Sequence, residues 1–216
     1  MSGVVELTAK TGNAFLVDGD DGLILVDTGT LKGLDGLLRA ISDTGRAPSD
    51  IERIVLTHAH PDHVQAAPEL RARTSARVLV HRADADWLAA GRVPAEGRSG
   101  ASGRNYDRLS VAHWTPFTVD DTVEDGDRVG GLRVIHTPGH SPGHIALLHE
   151  TSRTLLVGDA VFRHKRLGLG PAGFAADPAA QAAGLARLPR DVTAVGFGHG
   201  ATLTEIETFH AFLDKA

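Results

Sequence analysis

The sequence predicts an α/β (α+β) fold in which two sheets pack together with helices outside. Three observations carry that expectation. Apolar runs of strand length recur in both halves of the chain, turn-forming residues punctuate them, and stretches of helical spacing alternate with them. No Pro/Ser-rich linker and no repeat divides the halves, so the 216 residues are read as one domain, 1–216. A chain of this length buries roughly 70% of its unfolded surface and needs neither disulfide nor structural metal to fold.

The elements follow in order. Val4 to Leu7, Asn13 to Val17 and Leu23 to Val26 read as strands, the last two joined by the turn Asp18-Gly19-Asp20-Asp21-Gly22. Leu34, Leu37, Leu38 and Ile41 recur at helical spacing within Leu31 to Ser42, and Gly45 follows as a stop. Ile51 to Leu56 is a buried strand, Val64 to Arg73 a helix, Arg77 to Val80 a strand and Ala83 to Ala90 a helix. Residues 91–116 are rich in Gly, Ser, Arg and Pro; a loop this long inside a compact domain is expected to cover or border the active site. Thr118 to Val123, Arg128 to His136, Ile145 to His149 and Thr154 to Val157 read as strands. Asp177 caps a helix reaching Leu188, with Pro178 at its first position; Ala194 to Phe197 is a last strand and Thr204 to Leu213 a closing helix.

Composition narrows the function. Hydrophobic residues make up 42% and charged residues 23%, ordinary for a globular protein. A net charge of −5 argues against nucleic acid or an anionic membrane as partner. There is no cysteine, which removes thiolate nucleophiles and Cys-ligated zinc or iron–sulfur sites together. The first residues lack a basic stretch followed by an apolar one, and no apolar run approaches the roughly 20 residues that span a bilayer, so a cytoplasmic location is expected. The anomaly is the 12 histidines, several of them in tight clusters.

The decisive segment is Ile54-Val55-Leu56-Thr57-His58-Ala59-His60-Pro61-Asp62-His63. A buried strand ends, and four ligand-type side chains follow within six residues. His58 and His60, two apart in an extended segment, share a side and can grip one cation. Pro61 suits the first turn of a helix, which brings Asp62 and His63 toward a second position. Imidazole and carboxylate together suit Zn²⁺, Fe²⁺ or Mn²⁺. Three more strand exits carry ligand types: Thr137-Pro138-Gly139-His140-Ser141-Pro142-Gly143-His144, Gly158-Asp159, and Gly198-His199-Gly200.

In this pattern, H-x-H-x-D-H at His58 to His63 followed by His140, Asp159 and His199, the chain resembles the metallo-β-lactamase-fold hydrolases over nearly its whole length. The resemblance implies an αββα sandwich of two mixed sheets with the site at one edge. It also implies one metal on His58, His60 and His140, a second on Asp62, His63 and His199, and Asp159 bridging them. Asp27 matches a recurrent aspartate that supports a ligand histidine from behind, its plain alternative being an ordinary turn residue; His144 is given the same supporting role. Two divalent ions, zinc first with iron or manganese as alternatives, would share a hydroxide that attacks a small-molecule substrate. Asp62 is the candidate for orienting that nucleophile and passing its proton on.

Outside the clusters, His81, His113, His149 and His210 read as structural or surface residues. Phe162 and His164 are candidates for substrate contact, with a solvated basic loop around Arg163 to Arg166 as the plain alternative. Trp87, Tyr106, Trp114 and Phe174 line either a pocket or the core. Glyoxalase-II-type thioesterases look similar and are favoured slightly, although they usually add a helical region that holds glutathione, and only a short segment follows His199. Acyl-homoserine-lactone lactonases are similar too, but a tyrosine is expected near Phe162. The rival from another class is a persulfide dioxygenase with a single iron on His58, His140 and Asp159. A non-catalytic binding protein would be marked by lost ligands, and none is lost. A monomer or a homodimer is expected.

Overall fold

The computed structural model describes residues 3–8 and 12–215. The chain runs through β1 (Val4–Thr8), β2 (Asn13–Gly19), β3 (Gly22–Val26), α1 (Leu34–Asp43), β4 (Ile51–Val55), α2 (Pro61–Val64), α3 (Ala67–Thr74), β5 (Arg77–His81), α4 (Ala85–Ala90) and α5 (Ala101–Tyr106). It continues with β6 (Asp121–Val123), β7 (Arg128–Val129), β8 (Leu132–His136), β9 (Ile145–His149), β10 (Thr154–Leu156), β11 (Phe162–Arg163), β12 (Leu167–Gly168), α6 (Pro178–Gly184), β13 (Ala194–Gly196) and α7 (Ile206–Leu213). One sheet has the order β1-β2-β3-β4-β5-β6, antiparallel over its first three strands and parallel from β3 onward. The other has the order β13-β10-β9-β8-β7, antiparallel except for the β10–β13 pair.

Side-chain alternation turns these sheets into a sandwich. Phe15, Val17, Ile24, Val26 and Val55 of the first sheet meet Leu132, Val134, Ile145, Leu147 and Leu156 of the second in one buried layer. Their neighbours face the opposite way. Leu16, Leu25, Ile54 and Val78 pack under Leu34, Leu37 and Ile41 of α1 and Leu70 of α3. On the outer side of the second sheet, Ile135, Leu148 and Leu155 pack under Leu185, Leu188 and Phe209. Three apolar layers between four structural layers make the αββα arrangement, and the central strands, covered on both faces, are apolar almost throughout.

Several elements differ from the sequence reading for local reasons. The helix expected over Val64 to Arg73 is broken, because Pro68 has no N–H and its ring opposes the carbonyl of Val64; a turn of α2 ends and α3 restarts at Ala67. The strand expected over Arg128 to His136 is a hairpin, since Gly130 and Gly131, at φ 51° and 83°, form the two-residue turn between Val129 and Leu132. Leu31 to Gly33 is a 3₁₀ turn, and α1 begins only at Leu34. The strand expected from Thr118 starts at Asp121, because the Asp120 carboxylate takes the Val78 N–H that a ladder carbonyl would accept. Residues 91–116 contain α5 and two 3₁₀ turns. The expected cap at Asp177 is present, its carboxylate accepting from the N–H groups of Ala179 and Ala180; the α-helix stops at Gly184 and a 3₁₀ turn completes the stretch. The small β11–β12 hairpin has no counterpart in the sequence reading.

The ends of β3, β4, β8, β10 and β13 deliver Asp27, His58 to His63, His140, Asp159 and His199 to one edge of the sandwich. Among the described residues no helix is long and apolar enough to cross a membrane. Ile41, fully buried where α1 meets the first sheet, is a test of that layer. Ile41→Ala is expected to cost about 2–5 kcal/mol in urea denaturation. A loss below about 1 kcal/mol would mean that α1 is not packed as described.

Candidate metal centre

The strand β4 is continued by Leu56 and Thr57, and the chain then crosses the sheet edge. His60 is extended and Pro61 opens α2, so His58 and His60 project before the turn and Asp62 and His63 from within it. The imidazoles of His58, His60, His63 and His140 cluster, with ring centres 4.2 to 4.8 Å from His58. Ligand atoms of His58, His60 and His140 lie within 4.8 Å of one another, as do those of Asp62, His63 and His199, and those of His58, His63 and Asp159. Asp159 stands between the groups. Its Oδ1 is 3.4 Å from His63 Nε2, and its Oδ2 is 3.3 Å from His140 Nε2 and 3.4 Å from His199 Nε2. Asp62 Oδ2 is 3.2 Å from His199 Nε2. Gly198 makes room for this approach: a Cβ there would sit 2.1 Å from Asp159 Oδ1.

Whether a cation suits this cluster is tested by its unmet polar atoms. Among the described residues, the buried side-chain atoms without a hydrogen-bond partner are His58 Nε2, His63 Nε2, His140 Nε2 and Asp159 Oδ1. Each buried orphan of this kind costs on the order of 1–3 kcal/mol. Four of them converging is what a site built to ligate a cation leaves when the cation is taken away. The donor set, imidazole nitrogen with carboxylate oxygen, fits zinc, iron or manganese. The residues fit the group.

Supporting hydrogen bonds determine which nitrogen each histidine presents. Asp27, at φ 59°, accepts from the N–H of Thr57 at 2.8 Å and from its hydroxyl at 2.7 Å, and its Oδ2 lies 2.8 Å from His63 Nδ1. An ionised carboxylate only accepts, so His63 carries its proton on Nδ1 and turns Nε2 to the cluster. The Thr57 hydroxyl, its proton committed to Asp27, accepts from His58 Nδ1 at 3.0 Å, which leaves His58 Nε2 free in the same way. His144 is different. Its Nδ1 lies 2.8 Å from the Thr137 hydroxyl and its Nε2 accepts from the Asp159 N–H at 3.0 Å, so both ring nitrogens are used and it holds the backbone of Asp159. His60 Nε2 accepts from Arg98 at 2.9 Å; to offer that lone pair to a cation it must give up this bond.

Three residues with no role in the sequence reading complete the frame. Asp84, with 0% exposure, accepts from the Ala59 N–H, the Ser141 hydroxyl and the Gly143 N–H, tying the His58–His60 segment to the loop that carries His140. Arg98 forms a buried two-pronged pair with Asp107 and donates to the Phe174 carbonyl. Gln181 donates to the Asp159 carbonyl at 2.9 Å. Nothing in a sequence marks a lone Asp, Arg or Gln for such work; only their contacts do.

The metal-facing cavity, about 300 Å³, is lined by the cluster together with Arg98, Tyr106, Phe162, His164, Pro171 and Phe174. Phe162 stacks on His199 at 5.2 Å, and exposed His164 stands on the rim. Tyr106 and Phe174 therefore line the pocket. Trp87, stacked on His60 at 6.2 Å, and Trp114 are buried with the first sheet's outer layer. Of the histidines set aside, His81 stacks on His136, while His113 and His210 bond backbone carbonyls and His149 bonds Ser152. Residues 91–116 border the site through Arg98 and Tyr106, as expected.

The charges divide in step with this geometry. Burial, and then neighbouring imidazoles or Arg98, push His58 and His60 well below the usual histidine range. Burial acts the same way on His63 but is outweighed by Asp159, Asp27 and Asp62, which hold it well above. For His199 the balance against burial is struck by Asp159 and Asp62, which raise it to about 9. Protons on these two imidazoles supply positive charge that a cation must displace, so metal affinity weakens as pH falls.

The model of the metallo-beta-lactamase superfamily matches residues 7–200. The Bacillus subtilis protein named Probable metallo-hydrolase YybB is 30% identical over 70% of this chain and 62% of its own length. A hydroxyacylglutathione hydrolase from a Methylobacterium species is 32% identical over 68% of this chain and 51% of its own. The chain thus spans between half and two thirds of these curated relatives. Among solved structures, TTHA1623 in a di-iron-bound form is similar over 96% of each chain, with a TM-score of 0.70 and 30% identity.

Two outcomes test the supporting bonds. Asp27→Asn is expected to weaken metal binding about 10–100-fold in chelator competition with the fold retained; unchanged affinity would reduce Asp27 to a turn residue. His144, pushed to about 3 by burial and then by His140, is neutral when folded and has an ordinary value of 6.5 when unfolded. The unfolded chain binds its proton more tightly, so the stability it contributes is complete above about pH 6.5 and is lost as pH falls toward 3, on the order of a few kcal/mol. Urea midpoints of metal-stripped protein should fall over that window, and less steeply in His144→Gln. Parallel acid limbs in the two proteins would contradict this.

Proposed function

The chain belongs to the metallo-β-lactamase superfamily, and on that premise we propose that it is a metal-dependent hydrolase of an ester, thioester or lactone, with a thioester preferred. The observation that carries this reading is the convergence of four buried, unpartnered ligand atoms on His58, His63, His140 and Asp159. His58, His60 and His140 would hold one divalent ion, Asp62, His63 and His199 a second, and Asp159, which reaches toward both groups, would bridge them. The di-iron form of the TTHA1623 structure supports two ions, and zinc, iron and manganese all suit these donors. When bound, such ions lower the pKa of a coordinated water toward ~7 and polarise a carbonyl oxygen.

The protein's own groups then orient and move protons. Asp62, held below its ordinary value by His63 and His199 against the opposing effect of burial, is ionised at neutral pH and lines the cavity. Its carboxylate positions the attacking water by accepting a hydrogen bond and takes up the proton on the way to the leaving group. Asp27 and Thr57 keep His63 and His58 in the tautomers that leave Nε2 free. Phe162, Phe174 and Tyr106 wall the cavity and limit water beside the reacting carbonyl, and His164 contacts the substrate at the rim. A cavity of about 300 Å³ suits the reacting part of a small molecule.

Asp62→Asn and His140→Ala are each expected to lower turnover at least about 10²-fold in a folded, metal-checked protein. A panel of thioesters, lactones and esters reads the activity, and elemental analysis of untagged protein reads the metal. Two ions per chain with thioester cleavage support the proposal. One iron per chain with oxygen consumption would overturn it in favour of a dioxygenase.

A further inference from the structure

Among the described residues the exposed large apolar side chains are Val5, Leu31, Leu109 and Val111, and two of them, Leu31 and Val111, line one cleft beside the candidate metal centre. Leu31 and Val111, exposed at 54% and 52%, line a cleft of about 580 Å³ between the turn after β3 and the segment after α5. Leu109, also at 54%, precedes Val111 by two residues on the same segment. Solvent-facing apolar groups gathered in this way mark a binding surface.

The cleft adjoins the metal-facing cavity, with Pro61 and Tyr106 lining both. Three of the polar groups on its walls are occupied elsewhere. Gln65 donates its amide to the carbonyls of Val111 and His113 at 2.7 and 2.8 Å, Trp114 Nε1 donates to the Leu88 carbonyl, and His113 Nε2 bonds the Asp107 carbonyl. These bonds hold the wall in place and turn those three donors away from the space between. A molecule lying there meets a preformed surface, so little ordering free energy opposes its binding.

We propose that this cleft holds an unbranched aliphatic acyl arm of the substrate while the scissile carbonyl lies in the metal-facing cavity. The substrate class is then a medium-chain acyl thioester or ester. Water supplies the hydroxyl to the acyl carbon and a proton to the departing thiol or alcohol, giving a fatty acid. Pro61 and Tyr106 are walls of both spaces, so a chain leaving the reacting centre past these two side chains meets this cleft. The proposal rests on the hydrolytic reading, and its test separates the two.

Metal-loaded protein, with Leu31→Asp and Val111→Asp, is assayed on N-acetylcysteamine thioesters from acetyl to decanoyl, and decanoate binding is measured by calorimetry. In the parent protein kcat/KM should rise about twofold to threefold per methylene, less than the roughly fourfold of full burial because the cleft is half open. The decanoyl-to-acetyl ratio should fall at least about tenfold in each aspartate variant, and Leu31→Met should keep it. Thioester cleavage indifferent to chain length, with no decanoate bound, overturns the cleft assignment and leaves the hydrolase. Decanoate bound by the parent and lost in the variants, with no thioester cleaved here and no ester or lactone cleaved in the wider panel, upholds the cleft and ends the hydrolytic reading. If the aspartate variants instead convert a dimer to a monomer in sedimentation and leave the ratio unchanged, the patch joins two copies and the assignment fails.

Discussion

The structure is organised around lone pairs that the protein itself leaves unmet. His58, His63 and His140 each turn Nε2 into a buried space, and Asp159 places a carboxylate between them. A fold driven only toward its own stability would pair or exclude such groups, since each buried orphan costs free energy comparable to several buried methylenes. A cation removes that cost by accepting several lone pairs at once. Asp159 and Asp62, joined by Asp27 at His63, raise the proton affinities of His63 and His199 against the effect of burial, another expression of the site's demand for positive charge.

That demand explains why the surroundings are rigid. The carboxylate of Asp27 makes three contacts, to the Thr57 amide, the Thr57 hydroxyl and His63, and through the hydroxyl it also sets the tautomer of His58. Asp84 fastens two segments whose ligands must meet although they are more than 75 residues apart in the chain. Burial pushes Asp84 above its ordinary value, and the hydrogen bonds from Ser141, Ala59 and Gly143 offset part of that rise. Both aspartates act behind the ligands, and both are buried. Polar groups in such positions are stable when each carboxylate oxygen has a hydrogen-bond partner, which is the arrangement found.

The segment after β5 has a different task. It carries no member of the two ligand triads, yet it supplies Arg98 and Tyr106 to the cavity wall and Val111 and Trp114 to the neighbouring cleft. Its hold on the rest of the molecule runs through Arg98 to His60 and the Phe174 carbonyl, through Gln65 to the carbonyls of Val111 and His113, and through the N–H groups of Ser99 and Gly100 to Ala175 and Gly173, rather than through a strand in either sheet. Such a segment can vary while the sandwich stays constant, which is how one scaffold comes to serve different substrates.

The sequence by itself determined the two packed sheets with helices outside, the position of most strands, and the strand exits at which ligand-type side chains appear. These are properties of nearest neighbours: the apolar runs Phe15 to Val17 and Ile24 to Val26, or the close spacing of His58, His60, Asp62 and His63, are written in consecutive residues. Local chemistry also explains the breaks at Pro68 and at Gly130-Gly131, although the broader periodicity overrode them in the sequence reading. Only the tertiary structure decided what Asp84, Arg98 and Gln181 do, which nitrogen each histidine presents, and that Leu31 and Val111 share a cleft. Those facts depend on contacts between residues far apart in the chain. A hydrogen bond or an apolar contact between distant residues leaves no periodicity for a sequence to display.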